Sequence, residues 1–377
     1  MTRRRGNGEG SITRHKRSGL YMARYTVQTA TGPKRKTIYG KTRRDVDEKL
    51  TKAKADRDNG GLVFDADKQT LREYLERWLN NSVKGSVKPV TFESYERTVR
   101  NHIIPALGRV KLVKLTPVHL QSFYQERLDS GLSPASVRYA HAVLHRALKQ
   151  AHRWRLVKEN AAAATDPPKP VPEEMHPLDT TQAKALLSAA CDDRFEALYV
   201  VAVTAGLRIG ELLGLKWEDV DLERGALNVR RTLSAAKSGP RFTTPKNGKG
   251  RSIKLTARAV DALKHHKATQ NEERLRLGSL WEDWGLVFPT GRGTPLTRYN
   301  LTSRSFKPLL KRAGLPNICF HDLRHTCATL LLSRGHHPKL VQELLGHATV
   351  AMTLDRYSHV MPGMSDQTAA AMEAALS

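Results

Sequence analysis

Phe320-His321-Asp322-Leu323-Arg324-His325 opens the run of signals that decides how the C-terminal half of this chain is built. Leu345-Gly346-His347 follows it, and then Tyr357 within Leu354-Asp355-Arg356-Tyr357-Ser358-His359. Upstream, Thr204-Ala205-Gly206-Leu207-Arg208-Ile209-Gly210-Glu211 supplies a second arginine. Gly206 reads as a helix stop, and Arg208 as the start of a new helix bearing Ile209, Leu212, Leu213 and Leu215. A guanidinium beside a helix N-terminus is a favourable place for an anion. His321 and Arg324 stand three residues apart, so both are expected on one helical face.

These residue types suit attack on a phosphodiester. Such attack builds negative charge on the non-bridging oxygens, and planar, multidentate guanidinium groups stabilise it better than lysine does. A phenol, with a reference pKa of about 10, is a far better leaving group than an alkoxide. A tyrosine phosphodiester therefore keeps the energy of the broken bond, and rejoining needs no ATP. Tyr357 is the candidate nucleophile. His321 is expected to take its proton, and His347 to hydrogen-bond the phosphate. Glu211 is expected to pair with a neighbouring arginine. His321-x-x-x-His325, with Cys319 close by, also has the spacing of a helical metal pair. The second residue is Asp322 rather than the glutamate of zinc proteases, and no third ligand is evident. No metal and no cofactor is expected.

Taken together and in order, Arg208, His321, Arg324, His347 and Tyr357 resemble the tyrosine recombinase family, the integrases of phages and integrative elements. The resemblance implies a lysine that protonates the departing 5′ oxygen. Lys246, in Thr244-Pro245-Lys246-Asn247-Gly248-Lys249, matches the family's turn lysine, with Lys249 and Lys237 as competitors.

Composition agrees with a polyanionic partner. The 377 residues hold 63 Lys and Arg against 37 Asp and Glu, a net charge of +26 and a pI near 10.2. The basic residues are spread along the chain with no basic amphipathic anchor, which argues against a membrane surface. Cys191, Cys319 and Cys327 form no CxxC pair, as expected of a reducing compartment. Met1-Thr2-Arg3-Arg4-Arg5-Gly6 has no apolar stretch behind it, and the longest apolar run, Ala197 to Leu207, is too short to span a bilayer. A cytoplasmic, nucleoid-associated protein is the expectation.

The chain reads as three segments and a linker. Residues 1–64 carry 17 Lys and Arg against 6 Asp and Glu, a net +11. Ser11–Arg14, Tyr21–Val27 and Lys36–Tyr39, the last after a Thr31-Gly32-Pro33 turn, read as three antiparallel strands. A polar helix with Val46 and Leu50 as its buried stripe follows. A sheet this small and basic suits the DNA major groove. It also resembles the arm-binding domain of integrases, which marks Arg14, Arg24, Lys34, Arg35 and Lys36 as candidate DNA contacts. Residues 65–160 read as helical. Thr70-x-x-Glu73 is a capping box, Pro105 is expected to end a second helix near Ile103, Thr116-Pro117 opens a third, and Ser133-Pro134 a fourth. Arg138, His141, His145 and Lys149 on the fourth are candidate DNA contacts, and the bundle resembles the family's core-binding domain. Residues 161–174, four alanines and then Pro167, Pro168, Pro170 and Pro172, suit an extended linker. Residues 175–377 form the expected catalytic domain, with strand-like stretches at Ala226–Thr232 and Arg251–Leu255 and a tail whose Ala369, Met372 and Leu376 share a helical face.

The expected fold is mainly α and multidomain: a small N-terminal three-stranded β-sheet plus helix, a helical core-binding bundle, and a mixed, mostly α catalytic domain of the tyrosine recombinase type. The resemblance implies site-specific recombination through 3′-phosphotyrosine, a homotetramer on double-stranded DNA with arm-type and core-type sites, and a recombination directionality factor. A type IB topoisomerase shares the chemistry but has no need of the basic N-terminal sheet. A DNA-binding regulator that had lost its chemistry would not need the intact residue set.

Overall fold

The structure, a computed structural model, describes residues 12–16, 18–29, 32–58, 69–171, 174–236, 239–245, 248, 250–358 and 372–376. The chain forms two compact units, Met1–Pro172 and Glu173–Ser377.

In the first unit, β1 (Ile12–Arg14), β2 (Tyr21–Thr29) and β3 (Gly32–Gly40) form an antiparallel sheet in the order β1-β2-β3. Helix α1 (Arg43–Asp58) covers it, and Ala23, Val46 and Leu50 make a small core with Ile12, Tyr21 and Ile38. The expected turn at 31–33 is shorter than the sequence suggested: Gly32 and Pro33 already belong to β3, paired with Thr29 and Gln28. β3 is an edge strand, where the N–H that proline lacks is not needed by a neighbour.

A helical bundle follows in the same unit. Thr70 and Glu73 form the capping box of α2 (Leu71–Trp78), with Thr70 N donating to Glu73 Oε2 at 2.8 Å and Glu73 N to Thr70 Oγ1 at 3.3 Å. Helix α3 (Pro89–Thr98) does not stop before Pro105. A π-helical turn, Val99–Ile103, carries it into α4 (Ile104–Leu107), and this wider turn accommodates the hydrogen bond that Pro105 cannot make. Helices α5 (Pro117–Asp129) and α6 (Pro134–Arg153) complete the core, α6 burying Val137, Ala140, Leu144, Leu148 and Ala151. Ala161–Ala164 departs from the expected extended strap. It forms a 3₁₀ turn capped by Asn160, with Ala161 and Ala162 packed into the bundle core. Methyl groups this small let the backbone lie close against α6.

The second unit is built around α8 (Glu196–Ala205), which follows α7 (Thr180–Ala189) and is buried on all sides. This accounts for the apolar run noted in the sequence, since a helix hydrophobic all round belongs in an interior. After α9 (Ile209–Leu213), strands β4 (Val220–Asp221), β5 (Ala226–Val229) and β8 (Arg251–Lys254) pair in the order β4-β5-β8, while β6 (Thr232–Ala236) and β7 (Gly239–Thr243) form a hairpin. The stretch expected as one strand to Thr232 thus divides after Val229. Arg230 and Arg231 turn out of the ladder to pair with Asp219, and Arg231 also with Glu218. Helices α10 (Ala257–Leu277), α11 (Lys307–Arg312), α12 (Asp322–Leu332), α13 (Pro338–Leu345) and α14 (Ala351–Tyr357) complete the unit. Among the described residues no helix is long and apolar enough to cross a membrane.

Candidate active site

The C-terminus of α13 organises the site. Gly346 takes φ +65°, and His347 N donates to Gln342 O at 3.0 Å while Gly346 N donates to Glu343 O at 3.1 Å. This pair of hydrogen bonds is a Schellman closure, which satisfies two of the orphan carbonyls at a helix end. The next three carbonyls go to three different arginines. Arg251 Nε donates to Leu344 O at 2.8 Å, Arg324 Nη2 to Leu345 O at 2.6 Å, and Arg208 Nη2 to Gly346 O at 3.3 Å. The partial negative charge of a helix C-terminus favours this gathering of cations. Gln342 Nε2 then holds His347 O at 2.5 Å.

Each arginine has its own anchor. Arg208 is the N-cap residue of α9, as the sequence suggested, and its Nη1 donates to Glu211 Oε1 at 2.9 Å. Arg324, 2% exposed, also donates through Nη1 to Gly206 O at 2.8 Å. Gly206 stands at φ +60°, and a methyl group there would lie 2.6 Å from Leu345 Cδ2, so only glycine lets α8 end against α13. Burial, then repulsion from Arg208, pulls the Arg324 guanidinium down to about 9, and it stays a cation at neutral pH. Glu211, 1% exposed, accepts from Arg208 and, through both oxygens, from Arg251 at 3.1 and 2.8 Å. Burial alone would raise its carboxyl, but the hydrogen bonds and charges of Arg251 and Arg208 outweigh that and keep it below the ordinary carboxylate range.

Tyr357 sits at the end of α14, 2% exposed, among Ala328, Leu332, Val341 and Leu345. Its hydroxyl lies 2.6 Å from His325 Nδ1. His325, not the His321 expected from the sequence, therefore holds the phenol. His321 is the N-cap of α12 and keeps an exposed face, whereas His325 lies one helical turn further on, pointing to α14, its ring edge-on to His321 with centroids 4.9 Å apart. The spacing read as a possible metal pair instead turns one histidine inward and leaves the other with an exposed face. Burial pushes the Tyr357 phenol up to about 12, although the charges of Arg324 and Arg356 oppose it. Burial, then His321, pulls His325 down to about 4, so at neutral pH the pair is a phenol beside an uncharged imidazole. His347 bonds Thr353 Oγ1 through Nδ1 at 2.9 Å, and burial, then the Arg324 charge, takes it to about 4 as well. Desolvation, then the charges of Arg324, Arg208 and Arg356, lowers His321.

A cleft of about 850 Å³ opens beside this cluster, lined among others by Arg208, Arg251, Lys254, Gly346 and His347. Arg208, Arg324, His321, His347 and Tyr357 are therefore brought to one locus, and sequence reading missed His325 and Arg251. His325 had a signal, its place directly after Arg324. Arg251 had none beyond opening a strand. Lys246 lies outside the described residues, as do its competitors Lys249 and Lys237. Among the described residues no cluster of three metal-ligating side chains occurs.

The candidate DNA contacts fall into two groups. On the sheet, Arg14, Arg24 and Arg35 are exposed and Lys36 is half-buried, while Lys34 is placed by its backbone register opposite Val27 and its side chain lies outside the described residues. On α6, Arg138 and Lys149 are exposed. His141 is half-buried and bonded to Tyr124 Oη at 2.8 Å, and burial, then His145, holds it below the ordinary imidazole range. His145 is half-buried beside it, its carbonyl accepting from Asn160.

Residues 177–363 match the model of the "Phage integrase family", and residues 70–128 that of the "Phage integrase, N-terminal SAM-like domain". A "Tyrosine recombinase XerC-like" protein of Caldanaerobacter subterraneus subsp. tengcongensis is 32% identical over 351 residues, covering 87% of this chain and 88% of that protein. The chain belongs to the phage integrase family of tyrosine recombinases. Solved integrases share its fold. The Tn1549 transposon integrase in complex with a circular intermediate DNA matches with a TM-score of 0.67 at 22% identity, over 81% of this chain and 99% of that one. A lambda integrase tetramer bound to a Holliday junction matches with a TM-score of 0.60 at 22% identity, over 95% and 97%.

Proposed function

We propose that this tyrosine recombinase integrates and excises a mobile element, cutting and rejoining DNA strands at specific sites through a 3′-phosphotyrosine link. One observation carries the reading: the Tyr357 hydroxyl is held by His325, whose neighbour Arg324 grips the same three-residue turn as Arg208, beside His347. Tyr357 Oη bonds the phosphorus as the P–O5′ bond breaks. The phenolic proton passes to His325, the 5′ oxygen takes a proton from Lys246, and Arg208, Arg324, His321 and His347 stabilise the charge on the non-bridging oxygens. The reverse steps reseal the strand with no external energy source. An arriving phosphate anion counters the repulsion among the arginines and raises the basicity of the depressed histidines, which favours the proton's departure from the phenol.

In this reading residues 1–64 bind arm-type sites, 65–160 and 175–377 grip the core site, and 161–174 join them. The net charge of +26 and the exposed Arg14, Arg24, Arg35, Arg138 and Lys149 support double-stranded DNA as partner, in the cytoplasm on nucleoid DNA. A homotetramer on DNA is supported by the likeness to the lambda integrase tetramer, and a directionality factor follows from the need to choose between integration and excision. The test is strand exchange between two differently labelled duplexes bearing a sequence selected from a random pool by this protein. Recombinant products formed without ATP support the reading. Relaxation of supercoiled DNA with no exchange would replace it by a type IB topoisomerase.

A further inference from the structure

Resting on that reading, we propose that Arg251 is a positioning residue for strand cleavage, the brace that fixes where Arg208, Arg324 and His347 stand relative to one another. Three independent features point to it. Its fork holds both oxygens of Glu211, and Glu211 in turn holds Arg208 through the side chain at 2.9 Å and the backbone N at 3.0 Å. Its Nε donates to Leu344 O, the first of the three carbonyls whose successors Leu345 and Gly346 are held by Arg324 and Arg208. Gly346 passes directly over it: a methyl group at that position would stand 3.0 Å from Arg251 Nη1 and 3.2 Å from its Cδ.

These three hydrogen bonds add a second tie between the α9 N-terminus and the α13 C-terminus, beside the direct bond from Arg208 to Gly346 O. Its own backbone is fixed by β8, where Arg251 pairs with Val229 of β5. A lysine has one ammonium and no fork, so it cannot serve both carboxylate oxygens and a carbonyl in different directions at once. Arg251 is mostly buried, at 12% side-chain exposure, against 28% for Arg208. It is built to hold rather than to reach substrate. Glu211 leaves the two guanidinium groups it bridges with one net positive charge, and Arg208 remains the more exposed of the pair.

The test uses the full chain and a nicked duplex of pool-selected sequence, with covalent protein–DNA adduct measured in single turnover and DNA affinity measured separately. In Arg251→Gln the adduct rate should fall at least 30-fold while Kd changes less than threefold. Glu211, relieved of its strongest partner, should then protonate at higher pH, so cleavage by the variant should decline as pH is lowered from 7 to 5 more steeply than in the wild type. Arg251→Lys should keep its fold and still lose at least tenfold in rate. Adduct rates within threefold of wild type in either variant overturn the proposal. So does a parallel fall of rate, affinity and Tm with an unchanged pH profile, since a merely structural arginine would act that way. If the wild-type chain itself forms no adduct, the functional reading falls first, and the proposal with it.

Discussion

Arg324→Met separates the functional from the structural role of a buried cation. The guanidinium is 2% exposed, and no carboxylate among the described residues lies within 4 Å of it. Its depression to about 9 corresponds to roughly 5 kcal/mol of unfavourable burial and repulsion at neutral pH. Methionine, similar in length and apolar, removes that term. It also removes the bonds to Gly206 O and Leu345 O, each worth about 1.5–3 kcal/mol as hydrogen bonds to a charged group. The two contributions nearly cancel, so stability should change by less than about 2 kcal/mol, whereas breaking an ordinary buried ion pair costs about 3–5 kcal/mol. Adduct formation should fall by at least ~10²–10³. Urea denaturation followed by circular dichroism, beside single-turnover cleavage, reads both. A loss of more than about 4 kcal/mol, or cleavage at near wild-type rate, would refute this balance.

The histidines make stability depend on pH. His325 and His347, held near 4 when folded, bind fewer protons than the unfolded chain between about 4 and 6.5, so stability is full above that window and falls as pH drops through it. The loss should be on the order of 3 kcal/mol for each, and smaller in His325→Asn. Urea midpoints that stay flat from pH 7 to 4.5 would contradict it. Gly346→Ala should lose about 1–3 kcal/mol, more than Gly335→Ala, because both have positive φ but only the former meets Arg251. Equal losses would remove the packing argument. Deleting residues 1–64, which carry a net +11, should flatten the salt dependence of DNA binding while core-site binding survives; an unchanged slope would argue against an arm-binding role.

Much of the architecture was legible because local rules coincide with the fold. Thr70 and Glu73 cap the helix they announce, and the stripes of Val46 with Leu50 and of Val137 to Ala151 are the buried faces. Arg208, His321, Arg324, His347 and Tyr357 could be picked out because their chemistry and order are distinctive. What stayed hidden depends on contacts between distant residues. Nothing within α12 tells which of His321 and His325 faces Tyr357; that is set by how α14 packs on α12. Arg251 reads as one more strand residue until β8 brings it 2.8 Å from both Glu211 and Leu344 O. Pro105 misled because a π turn, which has no clear residue signature, absorbs its missing donor. The alanines at 161–164 misled because a run of small side chains permits close packing as readily as extension.

In the proposed reaction one phenol takes the DNA strand. Incubating the chain with a nicked suicide duplex of selected sequence, digesting the trapped adduct and sequencing the nucleotide-linked peptide measures this directly. A single peptide bearing the DNA on Tyr357 is expected, and in Tyr357→Phe no adduct although the duplex is still bound. A linkage to any other residue, or an adduct that persists in the phenylalanine variant, would contradict it.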